Sequence, residues 1–321
     1  MGPPFLVKVA PILIRGKSKI TCASQVVTIM LVYNETPVQE LQEPIASVAG
    51  VRLLVKREDL NHPQVSGNKW WKLKYNLQKI TAQGKDTVLT FGGAYSNHIY
   101  ATSVAAEACG LKSIGLIRGE ERLPLNPTLN AARKFGMTLQ YISREEYRKK
   151  TDEAFLSWVK EKWNDPYLLP EGGTNALGVR GAREFGLGLH STAFDYLCVP
   201  VGTGGTIAGL IQATGDRAEI LGFPAIRGEG SLASDITRLS GEINQFARWR
   251  LERSYHHGGY AKTTHELIAF IEQFERAHGF PLDAVYTGKM MFGIFDLLRR
   301  GYFSRGSTVL AIHTGGLSGR Q

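Results

Sequence analysis

One lysine stands where a helix is expected to begin, beside two tryptophans. Lys69 lies in the segment Ser66-Gly-Asn-Lys-Trp-Trp71, directly after a loop. An amine that is partly removed from water has a lowered pKa, and the neutral amine is the form that attacks a carbonyl group. Lys69 is therefore the candidate for Schiff-base chemistry, whereas Lys72, Lys74 and Lys79 of the same helix are expected to be solvated.

A glycine-rich segment follows an apolar run later in the chain. Gly202-Thr203-Gly204-Gly205-Thr206 comes directly after residues 196–201 and before an apolar helix. Backbone N–H groups at such a helix start bind phosphate, and glycine lets the ligand approach closely. The segment is not a Walker A loop, which needs a lysine, and Ile207 replaces the third glycine of GxGxxG. Taken alone, it fits a phosphate site and a purely structural tight turn equally well.

The segment Phe91-Gly-Gly-Ala-Tyr-Ser-Asn-His98 has the same order of strand, glycines and helix start. Ser96 and Asn97 fall at the expected beginning of the helix, where free N–H groups favour a carboxylate. Ser96 could instead be a simple N-cap, which is the better interpretation of that residue taken alone.

Apolar runs that alternate with helical patterns separate these segments. The predicted strands are residues 51–55, 87–91, 113–117, 138–142, 196–201, 220–223 and 308–312. The predicted helices are residues 66–79, 96–109, 126–135, 144–162, 207–214 and 264–278. Apolar strands alternating with helices indicate βαβ units and mostly parallel sheets covered by helices on both faces. The strands suffice for two sheets, so the sequence predicts a two-domain α/β protein with a cleft between the domains.

The composition is that of a globular protein and excludes several classes. Of the 321 residues, 43% are hydrophobic and 21% are charged. No stretch of eighteen uncharged apolar residues is present, so no membrane span is expected. The net charge is +9, but outside the first 29 residues acids and bases are interspersed and form no basic stripe. Nucleic-acid binding is therefore not expected.

The cysteines predict neither a metal site nor disulfides. Cys22, Cys109 and Cys198 are far apart and have no metal-ligand spacing. Two of them lie in apolar surroundings, which suits buried thiols in a reducing compartment. The expected location is therefore the cytoplasm.

Residues 1–29 are predicted to be a basic, disordered extension. They contain four basic residues and no acidic one. Lys8 interrupts the apolar run that a secretory signal needs, and serine and arginine are too sparse for a transit peptide. An over-long reading frame, with Met30 as the natural start, is the other interpretation.

Together, these segments resemble a known family. From about Met30 to Gln321 the chain is similar to the pyridoxal-phosphate enzymes of the tryptophan-synthase-β fold type (fold type II). Within that type it resembles the group of 1-aminocyclopropane-1-carboxylate deaminases and D-cysteine desulfhydrases. The resemblance rests on KREDL, SGNKWWKLKYNL, TFGGAYSNH, PVGTGGT, VYTGKMMFG and HTGG.

The resemblance implies a fold and a cofactor. Residues 30–82 and 177–321 would form a large domain that binds pyridoxal 5′-phosphate, and residues 83–176 a small domain, with the cofactor in the cleft. The substrate would be a small amino acid. Members of the family are commonly homodimers, so a homodimer is expected here as well.

The resemblance also assigns roles to individual residues. Lys69 matches the lysine that holds the cofactor covalently and exchanges protons with the substrate. Asn97 matches the residue beside the pyridoxal 3′-oxygen, and the loop of Ser96, Asn97 and His98 matches the one that receives the substrate carboxylate. The remaining matches are the phosphate-binding segment Gly202, Thr203, Gly204, Gly205 and Thr206, and the two active-site tyrosines Tyr260 and Tyr286.

Two threonines decide between the activities of the group. Its deaminases carry Tyr-Glu-Gly-Lys, with the glutamate beside the pyridine nitrogen, and a leucine before the closing Gly-Gly; this chain has Thr287 and Thr314 there. A carboxylate at that nitrogen favours a strong electron sink, which helps to open a cyclopropane. A threonine hydroxyl leaves a weaker sink, which suffices to remove an α-proton and expel hydrosulfide.

The expected activity is therefore the conversion of D-cysteine to pyruvate, ammonia and hydrogen sulfide. One alternative is 1-aminocyclopropane-1-carboxylate deamination, which gives 2-oxobutanoate and ammonia. An alternative of another class is a phosphate-ligand binding protein without catalytic activity, which would have no use for Lys69.

Overall fold

The computed structural model describes residues 31–227 and 230–317, without the side chains of residues 243 and 244. The predicted basic extension, residues 1–29, lies outside the described residues. The described strands are β1 (Val38–Glu40), β2 (Arg52–Lys56), β3 (Thr87–Gly92), β4 (Lys112–Arg118), β5 (Met137–Ile142), β6 (Tyr167–Leu169), β7 (Tyr196–Val201), β8 (Glu219–Pro224), β9 (Trp249–Leu251) and β10 (Thr308–Ile312).

The strands form two sheets, as predicted. The larger sheet has the order β1-β2-β10-β7-β8-β9, and only the edge pair β1–β2 is antiparallel. The smaller sheet has the order β5-β4-β3-β6, and all of its pairs are parallel. The strands of the smaller sheet all lie within the predicted small domain, residues 83–176. The domain boundaries themselves stay a prediction.

Helices cover both faces of the larger sheet. The described helices are α1 (Pro44–Ala49), α2 (Asn68–Ala82), α3 (Asn97–Ala108), α4 (Pro127–Lys134), α5 (Arg144–Arg148), α6 (Glu153–Lys162), α7 (Ala176–Gly188), α8 (Gly205–Thr214), α9 (Leu232–Ser240), α10 (His265–His278) and α11 (Thr287–Arg299). Successive side chains of β2 point to opposite faces of the sheet. Leu53 belongs to one apolar cluster with Ile294 of α11, and Leu54 belongs to a second apolar cluster with Ile207 of α8. Burial on both faces explains why the strands read as continuous apolar runs.

The prediction of one helix over residues 144–162 is wrong. The chain forms α5 and α6 there, and a turn separates them. Ser143 and Glu146 form a capping box at the start of α5, and the Asp152 carboxylate accepts a hydrogen bond from Ala154 N at 2.9 Å. Each helix therefore has its own N-cap, which ends the periodic pattern between them.

Several elements were not predicted. They are β1, β6 and β9, each of three residues, and the helices α1, α7, α9 and α11. Cys109 and Cys198 are buried, free thiols, and burial raises the pKa of both. None of the helices within the described ranges is long and apolar enough to cross a membrane.

Candidate active site

A cavity of about 250 Å³ opens where strands of both sheets end. Its wall includes the last residue of β4, the segments that follow β3, β6, β7 and β10, and the start of α2. The carboxyl ends of parallel strands are where open α/β sheets bind ligands. Nearly all of the predicted site residues line this cavity, namely Lys69, Ser96, Asn97, His98, Gly202, Thr203, Gly204, Gly205, Thr206, Tyr260, Tyr286 and Thr314.

Backbone contacts fix the start of α2, which carries Lys69. Gly67 is the N-cap at φ 72°, and a Cβ there would lie 1.8 Å from the Thr314 carbonyl oxygen, so only glycine fits. Asn68 N donates to that same oxygen at 3.2 Å. The Asn61 amide closes the arrangement, because its Oδ1 accepts from Gly67 N at 2.8 Å and its Nδ2 donates to Gly67 O at 3.0 Å.

The Lys69 amine has a pKa much closer to neutral pH than that of an ordinary lysine. Burial lowers the pKa of Lys69 to about 8, while the negative charge of Asp283 works in the opposite direction. The Nζ atom donates a long hydrogen bond, 3.4 Å, to Asn68 Oδ1. An appreciable fraction of the amine is therefore neutral at physiological pH and free to react.

The expectation that Lys72 is solvated is wrong. Lys72 is 2% exposed, and its Nζ donates to Thr174 Oγ1 at 2.8 Å. Lys72 follows Lys69 by three residues, so both side chains lie on one face of α2 and line the cavity. Burial first, and then the charge of Lys69, hold the pKa of Lys72 well below its usual range. The spacing of the two lysines was the signal that could have identified Lys72.

The segment Gly202–Thr206 joins β7 to the N-terminus of α8. Gly204 is the N-cap at φ 84°, and a Cβ on Gly205 would lie 3.0 Å from Lys72 Nζ. Thr206 Oγ1 accepts from Asn68 Nδ2 at 2.8 Å, and the Thr203 and Thr174 hydroxyls are hydrogen-bonded to each other. Free backbone N–H groups, a helix dipole and a buried amine therefore converge here, which is the chemistry of a phosphate site.

Ser96 and Asn97 begin helix α3 at the opposite wall of the cavity. Ser96 is the N-cap, and its Oγ accepts from Ile99 N at 3.3 Å. Asn97 Nδ2 lies 2.8 Å from the position that a Cβ on Gly316 would occupy, so the α3 start and the segment after β10 are in close contact. The capping interpretation of Ser96 holds, and the residue lines the cavity as well.

His98 is buried with one ring nitrogen unpaired. The Thr90 hydroxyl donates to Leu169 O at 2.8 Å, so it accepts from His98 Nε2 at 2.7 Å. This assigns the proton to Nε2 and leaves Nδ1 as a buried acceptor without a partner among the described residues. Burial, and then the charges of Lys69 and Lys72, hold the pKa of His98 well below its usual range, so the ring is neutral.

Two tyrosines of the cavity wall contact each other edge to face. The rings of Tyr260 and Tyr286 have centroids 6.4 Å apart and planes inclined at 67°. Burial, reinforced by the charge of Glu171, raises the pKa of Tyr260 to about 12, and burial raises the pKa of Tyr286 far above its usual range. Both phenols therefore keep their protons at neutral pH and can donate them.

Asp283 is a cavity residue that the sequence analysis missed. Its buried carboxylate accepts hydrogen bonds from Val285 N at 2.8 Å, Tyr286 N at 2.6 Å and Thr287 N at 3.3 Å. Burial raises its pKa, while these backbone donors oppose the shift. An aspartate three residues before Tyr286, just ahead of a helix, was the available signal.

The two predicted discriminators differ in position. Thr314 lines the cavity. Thr287 is fully buried and is not among the cavity residues; its hydroxyl accepts from Asp283 N at 2.9 Å and lies 3.3 Å from Asp283 Oδ2. Contact of Thr287 with a cofactor stays a prediction.

A charged end of the cavity was also missed. Arg118, at the end of β4, lies beside Gly93, and Glu171 follows β6. Lys150 pairs with Glu171 at 3.5 Å. Arg118 directly follows the predicted strand 113–117, which was the signal that could have identified it. Glu171 follows β6, which was not predicted, so the sequence carried no such signal for it.

A family model described as pyridoxal-phosphate dependent enzyme matches residues 29–315. The chain belongs to this family. It is 33% identical over 297 residues to a putative 1-aminocyclopropane-1-carboxylate deaminase of Pyrococcus horikoshii, covering 89% of this chain and 90% of the relative. It is 29% identical over 306 residues to the D-cysteine desulfhydrase of Yersinia pestis, covering 89% of this chain and 92% of the relative. Both names occur among its relatives, so membership does not decide the substrate.

A solved structure extends the likeness to the fold. The crystal structure of an ACC deaminase homologue, 30% identical, superposes with a TM-score of 0.78 and covers 91% of this chain and 92% of that chain. The predicted fold class, two mostly parallel sheets of fold type II, is confirmed.

The cavity fits pyridoxal phosphate on its own chemistry. A buried amine and glycine amides suit the phosphate, a second amine with a lowered pKa suits the aldehyde, and Asn97 can donate to a ring oxygen. His98, which lines the cavity, keeps an unpaired Nδ1 that can accept a hydrogen bond from a polar occupant. These residues come from the start of α2, the segment before α8 and the start of α3.

Proposed function

We propose that the protein is a pyridoxal-phosphate-dependent lyase that converts D-cysteine and water to pyruvate, ammonia and hydrogen sulfide. The observation that carries the proposal is one cavity lined by Lys69, by Lys72 and the glycine-rich segment, and by Thr314 in place of leucine. When bound, pyridoxal phosphate supplies an electron-withdrawing ring that acidifies the α-proton of the substrate.

Binding would use two helix starts. Residues Gly202–Thr206 and the Lys72 amine would hold the phosphate at the start of α8, and Lys69 would hold the aldehyde carbon. The substrate carboxylate lies at the start of α3, against Ser96, Asn97 and His98, where free N–H groups favour a negative charge. These contacts fix the α-carbon near Lys69.

Proton transfer would use groups with suitable pKa values. The Lys69 amine, with a pKa of about 8, would accept the α-proton of the bound substrate. The C–S bond then breaks, and a protonated tyrosine, Tyr260 or Tyr286, donates a proton to the departing sulfur.

The second candidate is 1-aminocyclopropane-1-carboxylate deamination to 2-oxobutanoate and ammonia. The observation in its favour is the Asp283 carboxylate, which lines the same cavity. A carboxylate close to the ring nitrogen would strengthen the electron sink that ring opening needs.

The test uses the purified holoenzyme and three candidate substrates. Absorbance is recorded first, because lysine-bound pyridoxal phosphate gives a visible band that Lys69→Ala should abolish. D-cysteine, L-cysteine and 1-aminocyclopropane-1-carboxylate are then added separately, and sulfide, pyruvate, 2-oxobutanoate and ammonia are measured. Sulfide and pyruvate from D-cysteine alone support the proposal. 2-Oxobutanoate from the cyclopropane substrate, with no sulfide from D-cysteine, refutes it in favour of the second candidate.

A double variant asks whether the two threonines determine the activity. Thr287→Glu with Thr314→Leu recreates the deaminase pattern, and we expect it to lower the ratio of D-cysteine to cyclopropane turnover. An unchanged ratio would mean that these residues do not determine the activity. The predicted homodimer belongs to the same proposal and is tested by sedimentation.

A further inference from the structure

Lys289, in the segment Val-Tyr-Thr-Gly-Lys, is a buried lysine that the proposed reaction does not use. It lies in the first turn of α11 and is 1% exposed. Its Nζ donates to three backbone carbonyls, those of His256 at 2.8 Å, Gly259 at 2.8 Å and Ala225 at 3.5 Å. The carbonyls come from two loops, one after β8 and one that carries Tyr260.

The Tyr260 loop has an unusual backbone. His257, Gly258, Gly259 and Ala261 have φ values of 47°, 90°, 114° and 54°. Left-handed conformations cost free energy at residues with a side chain, so the surrounding structure must hold them. Carbonyl dipoles that converge on one point repel each other unless a positive charge lies between them.

Rings of backbone carbonyls are the way in which proteins bind potassium and similar ions. We propose that the Lys289 ammonium is a covalently attached monovalent cation, which neutralises these carbonyls and positions Tyr260 opposite Tyr286. Lys289 is thus a positioning residue. The chain supplies its own cation, so this loop needs none from solution.

The connections make the coupling direct. The Gly259 carbonyl belongs to the peptide unit that immediately precedes Tyr260, and Lys289 follows Tyr286 by three residues at the start of α11. One ammonium group therefore joins the backbone segments that carry both tyrosines of the 6.4 Å ring pair. Burial lowers the pKa of Lys289 to about 8, so the charged form still predominates at pH 7.

The inference rests on the proposed function for its catalytic readout, so the test adds thermal stability, which does not depend on the substrate. Wild-type enzyme and variants are compared in potassium chloride and in tetramethylammonium chloride at equal ionic strength. Lys289→Ala leaves space for an ion at the carbonyls. Lys289→Met fills that space with an apolar side chain. Lys74→Ala is the control, because it removes a half-buried lysine on another helix, where it pairs with Glu184.

We expect wild-type kcat and Tm to be the same in both salts. Lys289→Ala should lose kcat on the order of 100-fold in tetramethylammonium, as expected for a misplaced catalytic group, and should regain kcat and Tm in potassium. Lys289→Met should keep the visible absorbance band and KM and have a low kcat in both salts. Lys74→Ala should respond to neither salt.

Three results would overturn the inference. They are a wild-type enzyme that needs potassium, a folded Lys289→Ala variant whose Tm is the same in both salts, and a Lys289→Met variant with wild-type kcat. If Lys289→Ala does not fold, the wild-type response to potassium and the kcat of Lys289→Met still test the inference. If D-cysteine is not the substrate, the potassium dependence of the Lys289→Ala Tm still tests the role of Lys289. The two proposals can therefore fail independently.

Discussion

The replacement of Lys72 by methionine tests the phosphate site most directly. Methionine keeps most of the length and the apolar stem of lysine and removes only the ammonium group. In the structure that group lies 2.8 Å from Thr174 Oγ1 and 3.0 Å from the position of a Cβ on Gly205, beside the first amides of α8. A phosphate bound to those amides must contact it.

The magnitude follows from that contact. Hydrogen bonds to charged groups contribute about 1.5–3 kcal/mol, so the variant should bind pyridoxal phosphate roughly 10- to 150-fold more weakly.

In the protein without cofactor, the substitution should change how stability depends on pH. Because the folded state lowers the pKa of Lys72, the unfolded chain binds more protons between that pKa and 10.5, and stability rises with pH across this range. Lys72→Met removes part of that rise.

The assay has two parts. Apoenzyme is titrated with pyridoxal phosphate at the visible absorbance band, and its Tm is measured with and without inorganic phosphate. Phosphate should raise the Tm of the wild type and have little effect on Lys72→Met. Lys74→Met is the matched control, because Lys74 pairs with Glu184 outside the cavity. Equal cofactor affinity in Lys72→Met and the wild type would refute the assignment of Lys72 to the phosphate.

Two further predictions concern the start of α2. The rate at which apoenzyme forms the visible band should rise with pH through about 8, because burial lowers the pKa of Lys69 to that value and only the neutral amine reacts; a midpoint near 10.5 would contradict this. Gly67→Ala should lower Tm and cofactor affinity, because its Cβ meets the Thr314 carbonyl at 1.8 Å. Gly84→Ala, at φ 63° with no atom within 4 Å, is the control for backbone strain alone, and an equal loss of Tm in both variants would rule out the contact.

The central strands and the cavity loops could be predicted from sequence because burial on both faces leaves an uninterrupted apolar run. The strand runs that precede Ser96, Gly202 and Thr314 were all found, and these residues share one cavity. The three-residue strands β1, β6 and β9 are too short to show a period, and only their partners in the sheet define them.

Helix α7 was missed for a different reason. Its glycines resemble helix breakers, but a Cβ on Gly181 would lie 1.9 Å from the Trp71 carbonyl oxygen, and one on Gly178 would lie 2.1 Å from the Gly173 carbonyl oxygen. Gly181 lets α7 pack directly on α2, and Gly178 lets it approach the segment that precedes it; both are tertiary requirements that local propensity does not record. For Lys72, the three-residue spacing from Lys69 predicts a shared helix face, but only the tertiary structure brings Thr174 to its amine.

The position of β10 also determines when the site can exist during synthesis. Strands β3 to β6 occupy one continuous stretch, residues 87–169, so the smaller sheet can assemble as soon as that stretch has left the ribosome. The larger sheet cannot assemble that early, because β10 lies between β2 and β7 and pairs with both of them. Thr314 and the two glycines after it then close the cavity wall. We therefore expect a nascent chain to form the smaller sheet first. It would complete the larger sheet and the cofactor site only after residues 308–316 have been added.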